Sequence, residues 1–192
     1  MKLHDITWNL LQAPVYPGSP DPVIERVEKI SDGAACNFSR VAMTSHAGTH
    51  ADALCHFVDG GLSIDEMPLE HYYGPCRVLS CSPGEVGPET FRGKINGVRR
   101  LVIHGDGRTY LSSEAAQYLV DEGIITLVTD AMSTGPLGME KATHDILLGN
   151  GVAIVETVNL EGIEDGDYTL IAFPVKYSGC DGAPVRAVLL ED

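Results

Sequence analysis

One short segment, Ser45–Phe57, concentrates side chains that bind metal ions. It reads SHAGTHADALCHF and contains His46, His50, Asp52 and His56. Three imidazoles and a carboxylate are costly to bury together unless something offsets their desolvation or uses their charge. Neutral imidazole nitrogen and carboxylate oxygen are ordinary ligands of zinc and manganese. The segment therefore predicts a divalent metal site, and the fold has to bring these side chains to one point.

The spacing within the segment agrees with this prediction. His46 and His50 are four residues apart, and Gly48 between them permits a tight turn with a positive φ. His50 and Asp52 are two apart, so they share a face where the chain is extended. Asp52 and His56 are again four apart, which is one turn where the chain begins to coil. An incidental cluster is the alternative, but four donors around one glycine favour a metal site.

Charge and length narrow the class of protein. The 192 residues include 27 acidic and 13 basic side chains, which gives a formal net charge of −14. This balance argues against nucleic acid and anionic membranes as partners, since both need a basic surface. The length suits a single domain over residues 1–192. No apolar run approaches the ~20 residues of a membrane span, and the N-terminal MKLHD lacks a signal-peptide core.

The cysteines indicate a reducing compartment. Their number is odd and no C-x-x-C pair occurs, so neither a disulfide framework nor a thiolate zinc site is predicted. Reduced thiols are the default in the cytoplasm, which is the expected location. Cys55, directly before His56, is expected to be a small buried hydrophobe. The five cysteines are Cys36, Cys55, Cys76, Cys81 and Cys180.

The pattern of apolar residues and turn signals predicts mixed strands with a few helices, hence an α/β or α+β domain. Two helices are predicted, Ser112–Val120 with a serine cap and Ala142–Leu148 ending at a glycine-rich turn. The proline-rich stretch Ala13–Pro22 is predicted to be an ordered loop or a lid. Strands are predicted at Val23–Ile30, Asn37–Thr44, Arg77–Cys81, Leu101–His104, Ile124–Thr129, Val152–Val155, Thr169–Phe173 and Val185–Leu190. The order of these strands does not follow from the sequence.

A single loop seldom encloses an ion, so further ligands are expected elsewhere in the chain. His144 lies in the second predicted helix, and Glu156 ends the apolar strand that follows it. Each has an ordinary alternative, a helix-surface imidazole for His144 and a solvent-facing strand end for Glu156. A carboxylate on a buried strand is costly unless it is paired. A helix–turn–strand unit that brought both to one place would make them ligands.

Three segments resemble the cyclase family, which includes bacterial kynurenine formamidases and isatin hydrolases. Residues 46–57, HAGTHADALCHF, are similar to the family signature H-x-G-T-H-x-D-x-P-x-H-F. Residues 144–160, HDILLGNGVAIVETVNL, resemble the second histidine-to-glutamate segment of the family. Residues 173–188, FPVKYSGCDGAPVRAV, are similar to the family's ending. The resemblance covers nearly the whole chain, and its first motif is specific.

This resemblance implies a ligand set for two metal ions. One ion would be bound by His46, His50 and Asp52. The second would be bound by Asp52, His144 and Glu156, with Asp52 and Glu156 bridging the two ions. One or two divalent ions are therefore expected. Zinc is favoured, and manganese is compatible because nitrogen and oxygen ligands accept both.

The resemblance also implies the role of His56, the fold and the assembly. His56 would be the proton donor and acceptor rather than a ligand. The fold would be a swivelling β/β/α domain, and the protein would be a homo-oligomer such as a dimer or tetramer. Two positions and one segment, Leu101–Gly107, depart from the family pattern. Leu54 replaces the proline of the motif, and Tyr16 stands where kynurenine formamidases tend to carry a tryptophan in a loop that covers the substrate. The second change weakens the case for formylkynurenine as substrate.

These observations predict a metal-dependent hydrolase that cleaves an amide, cyclic imide or lactone bond in a small molecule. Divalent ions lower the pKa of a bound water and polarise a carbonyl, and His56 can deliver a proton to the leaving group. Tyr16 is expected to contact the substrate. Two alternatives stay open: metal-assisted lyase or dehydratase chemistry, and a binding protein in which zinc is structural. The sequence has no G-x-S-x-G elbow and no phosphate-binding or dinucleotide-binding glycine motif.

Overall fold

The computed structural model describes residues 1–191, so Asp192, the last residue of the predicted domain, lies outside them. The described part contains two α-helices, α1 Ser113–Asp121 and α2 Lys141–Gly149, and 3₁₀ turns at Ile30–Asp32, Leu54–His56, Leu69–His71 and Pro88–Thr90. Its strands are β1 Lys2–Asp5, β2 Val23–Glu28, β3 Phe38–Ala42, β4 His50–Asp52, β5 Tyr73–Ser80, β6 Gly84–Val86, β7 Arg100–His104, β8 Thr109–Leu111, β9 Thr126–Thr129, β10 Ala153–Glu156, β11 Gly166–Ile171, β12 Gly182–Pro184 and β13 Val188–Glu191.

A nine-stranded mixed sheet organises the molecule, in the order β1-β13-β11-β5-β7-β9-β10-β4-β12. Its centre, β5-β7-β9-β10, is parallel, and the strands on either side are antiparallel. Strands β7, β9 and β10 are buried almost throughout, which explains why they appear in the sequence as largely apolar runs. Small two-stranded sheets, β2–β3 and β6–β8, lie outside it.

Two hydrophobic cores form on opposite faces of this sheet, because side chains alternate along each strand. On β9 and β10, Leu127 and Ile154 pack into the core that includes Leu119 of α1 and Leu147 of α2. Their neighbours along the strands, such as Val128, belong to the core on the other face. The helices therefore cover one face of the sheet.

Every predicted strand and helix is present, with shifted ends. The hydroxyl of Ser112 accepts a hydrogen bond from the amide of Ala115, as expected of the cap of α1. The last strand begins later than predicted, because Val185 makes only an isolated bridge with Pro174 before β13 starts. Several three- or four-residue strands were not predicted, β4 and β12 among them, since such short segments carry too little periodicity. The α/β class is confirmed.

The β2–β3 ribbon differs from the rest of the fold in its exposure. All residues of both strands are exposed, including the apolar Val27, Phe38 and Val41. The ribbon thus lies outside both cores. Within residues 1–191, no helix has the length and apolarity that a membrane span requires.

Candidate metal centre

Strand pairing brings the first candidate ligands together. His50 on β4 is the Cα partner of Glu156 on β10, and Asp52, two residues further along β4, is the partner of Ile154. Because His50 and Asp52 are two residues apart on an extended strand, they share a face. The side chains of His50, Asp52 and Glu156 are all buried. The alternative of a solvent-facing Glu156 is therefore wrong.

The turn before β4 fixes the orientation of His50. Gly48 has a φ of 66°, a positive value of the kind that glycine permits at this place between two histidines. Its carbonyl oxygen accepts a hydrogen bond from Nδ1 of His50 over 2.8 Å. The second ring nitrogen, Nε2, then lies 3.3 Å from Oδ1 of Asp52 and 3.6 Å from Oε2 of Glu156. The imidazole thus presents one free nitrogen to two carboxylates.

Helix α2 delivers a second imidazole in the same manner. His144 is buried, so the alternative of a helix-surface position is wrong. Its Nδ1 donates to the carbonyl of Glu140 over 3.0 Å, and its Nε2 faces the carboxylates. The Nε2 atom lies 3.5 Å from Oδ2 of Asp52 and 3.4 Å from Oε1 of Glu156. Each carboxylate therefore has one oxygen toward His144 and the other toward His50.

His46 and His56, which are only partly buried, lie beside the buried residues His50, Asp52, His144 and Glu156. Nδ1 of His46 lies 2.9 Å from Oδ1 of Asp52, and its Nε2 lies 2.9 Å from Oδ2 of Asp181. The ring of His56, at the end of the Leu54–His56 turn, stacks on that of His46 with 4.1 Å between centroids. Nitrogen and oxygen atoms of His46, Asp52 and His56 all lie within 4.8 Å of one another.

The electrostatics separate the imidazoles into two kinds. Burial opposes protonation of His46 and His144, but hydrogen bonds to carboxylates outweigh it and raise their pKa values to about 9 and about 10. Burial lowers the pKa of His56. Burial and the nearby charge of Asp52 raise the pKa of Glu156. The carboxylates around His46 and His144 thus stabilise a positive charge at these rings, whereas His56 favours its neutral form.

The buried donors suit a divalent cation. Among the residues described, Oδ2 of Asp52 is buried without a hydrogen-bond partner. For metal–ligand bonds of 2.0–2.1 Å, tetrahedral ligands lie roughly 3.3 Å apart, close to the separations between these donors. Nδ1 of His50 and of His144 donates to a backbone carbonyl, the usual support of a metal-binding imidazole. The residues that would hold an ion are His46, His50, Asp52, His144 and Glu156.

A cavity of about 290 Å³ opens above these side chains. Tyr16, from the proline-rich loop, lines it, and the Tyr16 hydroxyl donates to Oε1 of Glu140 over 2.6 Å. Phe57 and Met132 provide apolar walls, and His56 lines the cavity too. Among the described lining residues there is no lysine or arginine. All seven side chains singled out in the sequence therefore lie at one place.

Two polar residues of the site escaped the sequence analysis. Asp181 contacts His46 and His56, and Glu140 contacts Tyr16 and His144. The only signal for Asp181 was its place in the C-terminal segment that resembles the family ending. Glu140 had no signal, because a glutamate before a helix is common at any helix N-terminus.

Comparison with known proteins places this geometry in a family. The model of the family Cyclase, described as "Putative cyclase", matches residues 4–136. A structure described as a potential metal-dependent hydrolase with cyclase activity is 27% identical to the chain, with a TM-score of 0.83 over 98% of this chain and 96% of that chain. A structure described as a predicted metal-dependent hydrolase from Bacillus stearothermophilus is 26% identical, with a TM-score of 0.83 over 98% and 97%.

The fold extends to more distant proteins. Isatin hydrolase A from Labrenzia aggregata is 23% identical, with a TM-score of 0.85 over 100% of this chain and 94% of that chain. This likeness concerns the fold, and with the other matches it confirms the expected swivelling β/β/α class. The family match covers more than half of the sequence and includes the segment with His46, His50, Asp52 and His56. The chain belongs to the cyclase family.

Proposed function

We propose that this protein is a metal-dependent hydrolase of a small-molecule amide, cyclic imide or lactone, with arylformamidase-like chemistry, and that the whole chain forms one catalytic domain. The observation that carries the proposal is the orientation of His50 and His144. Each is tied to a backbone carbonyl through Nδ1 and presents Nε2 to the same two buried carboxylates, Asp52 and Glu156. Family membership and neighbours described as metal-dependent hydrolases support it.

Zinc is the ion we propose, one or two per chain, and manganese is the other candidate for nitrogen and oxygen ligands. When bound, such an ion lowers the pKa of a water molecule and polarises a carbonyl oxygen. Asp52 and Glu156 would contribute to both ligand groups, since each turns one oxygen toward His50 and the other toward His144.

His56 is the group we propose for proton transfer. It lines the cavity beside the ligand group, and burial keeps it neutral near pH 7 by lowering its pKa. A neutral imidazole can take a proton from the attacking water and return it to the leaving nitrogen or oxygen. A purely structural zinc site needs no additional imidazole for proton transfer. The presence of His56 therefore argues against such a site.

The cavity limits the substrate. A volume of about 290 Å³ suits a small molecule, and the walls at Tyr16 and Phe57 suit an aromatic ring. No cation among the described lining residues would pair with a substrate carboxylate, and Glu140 would repel one. We therefore propose neutral acyl compounds as substrates. Some structural neighbours are isatin hydrolases, one bound to the product analogue thioisatinate, which agrees with a compact cyclic substrate.

The test combines metal analysis with a substrate panel of aryl formamides, cyclic imides and lactones. The purified protein should contain zinc or manganese and release acid from at least one class, detected by pH-stat. His50→Ala should lose both the metal and turnover. His4→Ala, which removes an imidazole from β1, is the matched control and should keep both. Unchanged turnover by His50→Ala after chelation would contradict the proposal, and elimination products without hydrolysis would indicate lyase chemistry.

We also propose that the protein is a homo-oligomer in the cytoplasm. The exposed β2–β3 ribbon supports the first part, because a two-stranded ribbon is at best marginally stable in water. Its residues 23–42 carry three acidic and three basic side chains, so two copies of this acidic chain could meet there without repulsion. All five cysteines, which lie among the described residues, are free, which supports a reducing compartment.

Sedimentation velocity tests the assembly. We expect a dimer or tetramer for the unmodified protein and a smaller species for Phe38→Glu, which places a charge on the apolar ribbon. Leu69→Glu changes an exposed leucine outside the ribbon and should leave the assembly unchanged. A monomeric unmodified protein at all concentrations would contradict the proposal.

A further inference from the structure

Asp181 lies in the turn before β12, and β12 pairs with β4, the strand that carries His50 and Asp52. Its carbonyl oxygen accepts a hydrogen bond from the amide of Ala53 over 2.9 Å, and the next residue, Gly182, is the Cα partner of Asp52. The turn has a second support, since the amide of Gly179 donates to Oδ1 of Asp65 over 2.9 Å. The backbone is therefore fixed without help from the Asp181 side chain.

The Asp181 carboxylate lies at the edge of two stacked imidazoles. Its Oδ1 accepts a hydrogen bond from the Ser45 hydroxyl over 2.9 Å. Its Oδ2 lies 2.9 Å from Nε2 of His46 and 3.3 Å from Nδ1 of His56. The two rings are inclined by only 29°, so one oxygen can serve a nitrogen of each. The Ser45 contact fixes which carboxylate oxygen faces the rings.

A carboxylate beside one imidazole nitrogen favours a hydrogen on that nitrogen and leaves the lone pair on the other. For His46, the other nitrogen, Nδ1, lies 2.9 Å from Oδ1 of Asp52 within the ligand group, so its lone pair is free only when a metal ion replaces the hydrogen between them. For His56, the free nitrogen is Nε2. Without a carboxylate at this point, either nitrogen of His56 could carry the hydrogen.

We propose that Asp181 is a positioning residue that sets the ring orientation of His46 and His56 together and the tautomer of His56. By holding the hydrogen of His56 on Nδ1, it leaves Nε2 of His56 as the proton acceptor within the cavity. The same carboxylate accepts a hydrogen bond from Nε2 of His46, so Nδ1 is the nitrogen that would bind a metal ion. The tautomer assignment concerns this chain alone, whereas its use in proton transfer rests on the proposed hydrolase function.

The direct test is NMR of protein with ¹⁵N-labelled histidine, both metal-free and loaded with zinc. The signals of His56 are assigned by their disappearance in His56→Gln. In the unmodified protein, we expect His56 to carry its hydrogen on Nδ1. In Asp181→Asn, the amide group can donate to Nδ1, so the Nε2–H tautomer should appear. Asp181→Glu should restore the original tautomer at least in part.

Asp65→Asn is the matched control, because it changes a carboxylate that holds the same turn without touching either ring. It should leave the tautomer of His56 as it is in the unmodified protein. An unchanged His56 tautomer in Asp181→Asn, or the same change in Asp65→Asn, would overturn the proposal. Should Asp181→Asn fold poorly, Ser45→Ala frees the same carboxylate by removing its hydroxyl partner and should give a mixture of tautomers.

Kinetics separate this inference from the proposed function. With a substrate from the panel and saturating zinc, Asp181→Asn should lower kcat by roughly 10²-fold or more, the contribution typical of general acid–base catalysis, while KM stays near the unmodified value. A tautomer change with no hydrolysis by the unmodified protein would uphold the positioning role and refute the hydrolase. Hydrolysis that survives in full in Asp181→Asn, together with an unchanged tautomer, would refute the positioning role alone.

Discussion

The Nε2 atom of His144 lies 3.5 Å from Oδ2 of Asp52, although one residue is on α2 and the other on β4. The other oxygen of the same carboxylate, Oδ1, faces His46 and His50. Asp52 is thus the side chain that joins the N-terminal histidine segment to the helix–turn–strand unit of His144 and Glu156. Its complete burial means that water does not compensate either oxygen.

Replacement of this residue should therefore affect both halves of the centre. We expect Asp52→Asn to lower zinc affinity by more than about 100-fold, since an amide is a poor ligand in place of a shared carboxylate. The metal-free variant should also lose about 3 kcal/mol of unfolding free energy, because its buried partners keep their charge. Calorimetric titration and urea unfolding measure the two effects. Asp145→Asn on the exposed side of α2 is the control, and equal losses there would contradict the assignment.

His56 should behave differently from the ligands. We expect His56→Gln to retain its zinc and to lose roughly 10²- to 10⁴-fold in kcat, because only the proton-transfer group is removed. Metal analysis and steady-state kinetics of the same preparation decide the matter. His104→Gln removes an imidazole outside the cavity and should change neither quantity. A loss of one zinc ion per chain in His56→Gln would instead make His56 a ligand.

The sequence was most informative where the chemistry is local. The spacing of His50 and Asp52 predicted a shared face, and Gly48 permitted a turn with a positive φ; the structure has both. Glu156 was a candidate, with a solvent-facing strand end as its alternative, because a carboxylate on a buried apolar strand is costly unless it is paired. Both signals lie within a few residues, where backbone geometry determines which side chains meet.

What the sequence could not supply depends on contacts between distant segments. The pairing of β4 with β10 and β12 sets the distances in the centre, yet these strands have too few residues to show a period. Asp181 becomes part of the site only because β12 pairs with β4. Glu140 becomes a neighbour of Tyr16 only through the path of the loop. Strand order is decided by the packing of both faces of the sheet, which no local pattern encodes.

Tyr16 and Glu140 should together influence substrate binding. Their hydrogen bond of 2.6 Å joins the proline-rich loop to the residue before α2 across the cavity. A bond of this kind contributes about 0.5–1.5 kcal/mol, so Tyr16→Phe should raise KM roughly two- to tenfold and leave kcat nearly unchanged. Tyr110→Phe, outside the lining of the cavity, is the control. A fall in kcat with constant KM would show that the hydroxyl acts on the chemical step.

His71 should affect stability at acid pH. Burial lowers its pKa below the usual 6.5, while its Nδ1 donates to the carbonyl of Ile125 over 2.7 Å. The unfolded chain therefore binds a proton that the folded chain does not, and stability is lost as the pH falls through 6.5 toward the folded pKa. One such proton gives a slope of at most about 1.4 kcal/mol per pH unit.

His71→Asn should reduce that slope, because asparagine can donate to the same carbonyl without titrating. Urea unfolding of both metal-free proteins between pH 5 and pH 8 measures the difference in their unfolding free energies. The contributions of the other histidines cancel in this difference. Above pH 7.5 the difference should become constant. Parallel stability curves over the whole range would show that His71 titrates alike in the folded and unfolded chains.

Gly182 should control the position of His46. A Cβ atom at this residue would lie 2.8 Å from Cε1 of His46 and 2.8 Å from the carbonyl oxygen of Ala51, closer than such contacts occur. The backbone of β4 cannot yield, because it pairs with strands on both sides. The imidazole has to move instead, away from Asp52 and Asp181.

We therefore expect Gly182→Ala to weaken zinc binding by roughly 10- to 100-fold, as when the support of a metal ligand is disturbed. Gly149→Ala is the matched control, since a Cβ atom there meets no atom within 4 Å, and its zinc affinity should be unchanged. Calorimetric titration compares the zinc affinities of the two variants. His50→Ala gives the zinc affinity expected when a ligand is lost altogether. Equal affinity in Gly182→Ala and the unmodified protein would mean that His46 does not bind the ion from this position.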